Sequence, residues 1–292
     1  MATQLDSHEP KAARRRFQLM RPRFRWLVWI GAIFFIANLV GVIASVVANS
    51  FATEWFDSWL PSGWTTEYYK MAWQDYQLAD TLLVTLQVAV TVVVVSLVIG
   101  TPAAYVLARR DFPGKKIVML SFLLPIMVPP ITFGIPLATL LYNMQLGGTL
   151  TGVILANLVP AVPFVILVMT PFIEQIDPKI EAAARMSGAR TWQIFTRILG
   201  PLVVPGLLAA ALLVLVQTVA LFELTFLVAG PGNDTLVVAL YYSVFASGIR
   251  PSQAISAMAV IYMLTTLVIL IVALRYVSPT QLVTQVGVRR DE

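Results

Sequence analysis

Cysteine is absent from the chain, and the sole histidine, His8, lies in a polar leading segment. Disulfides, thiolate metal sites, cysteine nucleophiles and histidine-ligated metals are thereby excluded. Charge is scarce too: Asp, Glu, Lys and Arg make up 12% of the 292 residues, against roughly a quarter in a soluble domain. Also missing are a Gly-rich phosphate loop of the nucleotide-hydrolase type, paired carboxylates within apolar runs, a metal-ligand cluster and a catalytic triad. These absences argue against an enzyme, against hydrolysis of ATP by this chain itself, and against any bound cofactor. There is no evident internal repeat, which counts against a secondary transporter built from two inverted halves.

What is present is apolar. Hydrophobic residues make up 58% of the chain, and the mean hydropathy is +0.81. Six runs reach the roughly 20 residues that a bilayer crossing needs: Trp26–Ala48, Thr81–Ala108, Ile117–Tyr142, Thr151–Ile173, Leu202–Ala229 and Ala254–Leu274. The expected fold is all-α, a polytopic membrane protein with six transmembrane helices.

Basic residues orient it. Lys11, Arg14, Arg15, Arg16, Arg21, Arg23 and Arg25 precede the first run, and Arg109, Arg110, Lys115 and Lys116 follow the second. Lys179, Arg185, Arg190 and Arg197 follow the fourth, and Arg275, Arg289 and Arg290 follow the sixth. With six spans these all fall on one side, leaving only Lys70 and Arg250 on the other. Both termini are therefore expected to be cytoplasmic. The net charge of +5 then serves topology and contact with anionic membrane lipid. Nucleic acid is not an expected partner, because no basic–aromatic platform or groove-reading motif accompanies the charge.

Residues 1–25 read as a basic cytoplasmic tail and 26–48 as a retained transmembrane anchor, its apolar core being too long for a cleavable signal. Residues 49–80 form an external segment rich in aromatics, including Trp55, Trp59, Trp64, Tyr68, Tyr69 and Trp73, with an amphipathic helix around Thr66–Tyr76. Residues 81–277 form the core, with a polar loop at 174–201, and 278–292 form a second cytoplasmic tail. Gly100, Thr101 and Pro102 mark a kink or close-packing site in the second run.

Four residues stand out inside the runs. Pro130 belongs to a cluster with Pro125, Pro129, Gly134 and Pro136 that frees backbone carbonyls, as in broken helices lining a pathway. Asn157, near Pro160 and Pro163, repeats the theme, and Gln217 and Glu223 bring polarity into the fifth run. A charge at such depth normally faces a cavity or a partner. Pro130, Asn157, Gln217 and Glu223 are accordingly the candidates for a translocation pathway. The turn at Ala229–Asn233 precedes a short, partly re-entrant helix expected at Thr235–Ser247.

The polar island Asp177–Pro201, DPKIEAAARMSGARTWQIFTRILGP, is different. Asp177 followed by Pro178 reads as a helix N-cap with proline at the first helical position. Gly188 offers a left-handed stop. Thr191 is expected to cap a second short helix with Trp192, Phe195 and Leu199 on one face, closed by Pro201. The expected product is a helix–turn–helix at the membrane surface, suited to docking another protein.

This island resembles the cytoplasmic EAA loop of the membrane subunits of bacterial binding-protein-dependent ABC importers, with their MetI-like permease core. The family pattern is roughly Glu-Ala-Ala, three residues, Gly, nine residues, Ile, one residue, Leu-Pro. Gly188 sets the register, so Ala182, Ala183 and Ala184 stand at Glu-Ala-Ala, with Glu181 one place earlier. Ile198 stands at the Ile position, with Gly200 and Pro201 where Leu-Pro is usual. The resemblance implies a second, dissimilar permease subunit, two cytoplasmic ATPase subunits and a periplasmic solute-binding protein as partners. It also implies a coupling helix at Lys179–Ser187, with Glu181, Ala182, Ala183, Ala184, Arg185 and Gly188 as the ATPase-coupling residues.

For the solute the resemblance divides. PFIEQIDPKIEAAARMSGARTWQIF is similar to sugar-importer permeases, whereas NSFATEWF, LPSGWTTEYY and TFLVAGPG are more similar to polyamine-type permeases. A polycationic solute favours carboxylates along its path, and Glu223 is the only one well inside a run. That tilts the reading to a neutral or anionic solute such as a sugar. A stand-alone channel or secondary transporter would leave the island unexplained.

Overall fold

The computed structural model describes residues 22–55, 58, 60–245 and 251–276. Residues 1–21 of the expected leading tail, the expected trailing tail, the end of the expected re-entrant helix and Arg250 lie outside them, and the last four residues of the leading tail already belong to the first helix. Twelve α-helices make up the described part in the order α1 (Pro22–Phe51), α2 (Glu67–Asp75), α3 (Leu78–Arg109), α4 (Lys115–Met127), α5 (Pro130–Asn143), α6 (Leu150–Glu174), α7 (Pro178–Met186), α8 (Thr191–Gln193), α9 (Gly200–Ala220), α10 (Phe222–Val228), α11 (Leu236–Phe245) and α12 (Ser252–Tyr276). A π-helical stretch, Ile194–Leu199, joins α8 to α9.

Four apolar runs form single spanning helices, α1, α3, α6 and α12, and a fifth span runs from Thr191 to Ala220. The third run does not form one helix. It breaks between α4 and α5 with a bend of 96°. The cause is local: Val128 and Pro129 are both extended (ψ 131°), because a residue before proline is pushed out of the helical region. Pro129 precedes Pro130, so two successive positions lack an N–H donor.

The fifth run departs in the other direction. Its helix starts at Thr191 rather than Leu202, and it ends at Ala220, where Leu221 turns extended before α10. Pro201 does not close a short helix; it sits in the first turn of α9, which continues the same rod. The π turn absorbs it, with the Gly200 N–H reaching back to the Phe195 carbonyl. Thr191 is the first helical residue and not the cap. That place belongs to Arg190, whose N–H is taken by Gln193 Oε1 at 2.8 Å. Trp192 is exposed, while Ile194 and Leu199, five apart, are the buried positions.

The core is the seam between α3 and α6, joined by α9. Val92 and Ala104 of α3, Val165, Ile166 and Met169 of α6 and Val214 of α9 are fully buried there. Lipid is as apolar as leucine, so close backbone approach and packing must hold such a seam. Gly100 supplies the approach: a Cβ there would meet Val165 Cγ1 at 2.7 Å. Gly206 of α9 does the same beneath the Phe172 ring. α1 stands apart, bare along most of its length, and meets α12 through its last turns, where Asn49 Nδ2 donates to Ser256 Oγ at 2.8 Å. A smaller cluster (Ala72, Leu78, Leu236, Ala239, Met258) joins α2, α3, α11 and α12. α11, with ten residues, is too short to span. Its first N–H is capped by Thr85 Oγ1 of α3 at 2.8 Å.

Candidate functional site

The island is a two-part element, capped at both ends of its first helix. Asp177 caps α7 by accepting the Lys179 N–H at 2.9 Å, and Pro178 follows. At the other end the Gly188 N–H bonds the Arg185 carbonyl and the Ala189 N–H bonds the Ala184 carbonyl, a Schellman closure. Gly188 takes φ +81° with nothing within 4 Å of a Cβ placed there. It is glycine for its backbone, not for lack of room.

The faces of α7 differ sharply. Ala182 and Ala183 are exposed, as are Arg185, Ile180 and Met186, with Met186 at 87% the barest large apolar side chain of the island. Trp192 stands exposed just beyond. Ala184 is half-buried. Glu181, one turn before Arg185 and on the side away from Ala183 and Met186, is the one acid buried among the described residues. Its Oε2 accepts from the Tyr105 hydroxyl at 2.7 Å and its Oε1 from Arg109 Nε at 2.8 Å. The Arg109 guanidinium also donates to the Ile176 carbonyl at 2.9 Å. Arg185 lies 3.9 Å from Glu181 and is largely solvent-facing, so its pull is screened. The Glu181–Arg109 pair is different, with side chains 7% and 10% exposed. Removing one partner of so buried a pair typically costs about 3–5 kcal/mol. A cleft of about 900 Å³ opens here between α3, α7 and α8, walled by Tyr105, Arg109, Arg110, Glu181 and Arg185.

Three of the pathway candidates lie beside the two helix breaks, away from the island. Pro130 opens α5 immediately after the 96° bend. Gln217 and Glu223 bracket the break at Leu221. α5 and α10 pack on each other, with Gly134 facing Leu224 and Leu227 so closely that a Cβ would stand 2.9 Å from either. The turns after them interlock: a Cβ on Gly230 would meet Gly148 Cα at 2.7 Å, and the Gly148 N–H donates to the Val228 carbonyl at 2.8 Å. Asn157, 1% exposed in α6, donates to Thr225 Oγ1 of α10 at 3.2 Å, while among the described residues neither its Oδ1 nor Gln217 Oε1 has a partner. Glu223 is not brought to Asn157; it makes no hydrogen bond or ion pair among the described residues. Next to it Phe222 and Phe226 begin a run of rings through Tyr241 to Phe245, with centroids 4.6–5.0 Å apart along the way. In the turn beyond α10, burial pushes the Asp234 carboxyl above its ordinary value.

Sequence reasoning missed Tyr105 and Arg109, having counted Arg109 only as a topology charge. The available signal was their spacing of four at the end of one helix, which puts both on one face. Thr225 carried no signal.

The comparisons agree with the fold. The sequence profile described as "Binding-protein-dependent transport system inner membrane component" matches residues 100–282. The trehalose transport system permease protein SugB of Mycobacterium tuberculosis is 32% identical over 157 residues, 54% of this chain and 57% of that one. The molybdate/tungstate transport system permease protein WtpB of Thermococcus kodakarensis is 29% identical over 197 residues, 67% of this chain and 78% of that one. The match thus spans little more than half the length of SugB. Among solved structures, a bacterial ABC transporter involved in the import of the acidic polysaccharide alginate superposes with a TM-score of 0.70 at 20% identity, over 88% of this chain and 98% of that one. The chain belongs to the family of inner membrane components of binding-protein-dependent transport systems, the multi-pass permeases of ABC importers.

Proposed function

We propose that this permease moves a sugar or sugar derivative into the cell, driven by ATP that other subunits hydrolyse. The observation that carries the coupling half is the island: a capped α7 whose outward face of Ile180, Ala182, Ala183 and Met186 is left bare at the ends of the spanning helices. One of two ATPase subunits docks on that face, a second permease completes the pathway and holds the other, and a periplasmic binding protein delivers the solute. The island and both ends of the chain lie on the cytoplasmic side, as the charge bias requires.

The sugar half rests on the similarity to a trehalose permease and on the aromatic run beside Glu223, whose side chain has no partner among the described residues. Ring faces and a lone hydrogen-bond acceptor suit a neutral, ring-bearing solute. The longer alignment to a molybdate/tungstate permease favours a second reading, an oxyanion. Glu223 weighs against it, since a fixed negative charge repels an anion along its path.

The test is purification of the tagged chain with its partners, reconstitution into vesicles, and ATP-dependent uptake of labelled trehalose against molybdate. An ATP-hydrolysing subunit co-purifies, Gly188→Trp lowers its recovery or its coupling, and trehalose competes with the transported solute. Accumulation of molybdate alone overturns the sugar reading. A chain that purifies alone and transports without ATP overturns the importer subunit altogether.

A further inference from the structure

One spanning helix, α3, grips the island at a single carboxylate, and the same two side chains reach the ends of two more. Tyr105 and Arg109 come from the last turns of α3 and lie 76 and 72 residues from Glu181 in sequence. Arg109 also holds the Ile176 carbonyl, just past the end of α6. Tyr105, besides bonding Glu181, sets its ring edge-on to Phe195, centroids 4.5 Å apart, in the π turn that leads into α9. Both oxygens of Glu181 are thus occupied, and its side chain is 7% exposed. Its carboxylate is thus committed to α3, and only its edge faces the cleft beside α7.

The chain itself already ties α6 to α7 and α7 to α8. Nothing of the kind ties α3 to α7, yet α3 forms the principal seam with α6. Apolar contact alone would let one helix slide on the other, whereas charge-assisted bonds of fixed geometry hold a register. We infer that Glu181 is a positioning residue for transport. It keys α7 to α3, and through Arg109 and Tyr105 to the ends of α6 and α9, so that a displacement of α7 moves three spanning helices as one body. Docking belongs to the opposite face of α7, with Ile180, Ala183 and Met186. This inference rests on reading α7 as the coupling helix.

The experiment uses the full chain reconstituted with its partner subunits, measuring ATPase recovery, ATP hydrolysis and uptake in the same preparation. Glu181→Gln keeps the shape and removes the charge. It leaves the amount of co-purified ATPase unchanged and lowers solute moved per ATP hydrolysed by about five- to tenfold, within the range of ordinary coupling energies. Tyr105→Phe deletes one hydroxyl and leaves the ring on Phe195, so it folds; it lowers the same ratio by a smaller factor. The double variant is no worse than Glu181→Gln alone, since both act on one node. Met186→Asp, on the outward face, lowers ATPase recovery instead. The inference is overturned if Glu181→Gln reduces ATPase recovery as Met186→Asp does, if transport per ATP is unchanged in both single variants, or if their effects add. If the unaltered chain recovers no ATPase, the coupling-helix reading falls and this inference with it.

Discussion

Gly100 of α3 lies against Val165 of α6 with no room for a side chain: a Cβ on Gly100 would stand 2.7 Å from Val165 Cγ1, 2.9 Å from its Cβ and 3.3 Å from the Val162 carbonyl oxygen. A β-branched residue fixed in a helix has little rotamer freedom with which to yield, and the backbone carbonyl has none. Gly100→Ala therefore forces the seam apart. Overpacking of this kind typically costs about 1–3 kcal/mol, and the better helix propensity of alanine returns about 1 kcal/mol or less. The midpoint of thermal unfolding in detergent falls by several degrees. Gly31→Ala on the bare side of α1, where a Cβ meets nothing within 4 Å, leaves it unchanged or slightly higher.

That contact shows what was legible in the sequence and what was not. Five spanning helices announce themselves because twenty apolar residues in a row have few other uses, and Gly100, Thr101 and Pro102 marked a kink or close-packing site, of which Gly100 supplies the close packing. The break in the third run was written in its prolines, but the size of the bend depends on where α5 finds a partner, and that partner is α10, some 90 residues on. The continuity through Pro201 was illegible because a π turn has no composition of its own. The burial of Glu181 was illegible for another reason. In the nine-residue helix of Pro, Lys, Ile, Glu, three Ala, Arg and Met, the apolar face of Ile180, Ala183 and Met186 is the one left bare, so apolarity points the wrong way and only the approach of Tyr105 and Arg109 decides which side is in.

Asn157 and Thr225 form a buried polar pair whose deletion separates stability from transport. Asn157 Nδ2 also donates to its own helix at the Val153 carbonyl, 2.9 Å away, while Oδ1 goes unmet among the described residues. Replacing both partners of a buried hydrogen bond with apolar groups of similar shape is nearly neutral, whereas truncating one strands the other at a cost of about 1–3 kcal/mol. The double variant Asn157→Leu, Thr225→Val therefore unfolds within about 1 kcal/mol of the parent, and Asn157→Ala alone is destabilised. If Asn157 serves the pathway, uptake by the double variant falls despite its intact stability. Unaltered uptake would leave Asn157 as packing only.

Gly188 holds φ +81° in open space, so substitutions there are graded by backbone strain and not by size. A left-handed conformation costs an ordinary L-residue roughly 1–2 kcal/mol, and asparagine less. Gly188→Val loosens the closure of α7 and lowers recovery of the ATPase subunit, while Gly188→Asn retains most of it. Equal losses for both would mean that the outward surface at this point, rather than the turn, is what a partner reads.

Asp234 supplies a pH dependence whose sign follows from its burial. Its carboxyl titrates above the ordinary aspartate value because burial in the turn between α10 and α11 disfavours the charged form. The folded state thus holds this proton more tightly than the unfolded chain does. The resulting stabilisation is fully present below the unfolded value, about pH 4, and is lost as pH rises through the higher folded value. Above that value the ionised carboxylate is a liability that an amide removes. Asp234→Asn is therefore more stable than the parent at the alkaline end of the range, with the advantage shrinking as the pH is lowered and gone once the carboxyl is protonated in both states. Thermal unfolding of the two proteins in detergent, measured in steps from pH 4 to pH 8, checks the sign. A gap that widens on acidification would mean that the Asp234 carboxylate is stabilised in the fold by a partner that outweighs its burial.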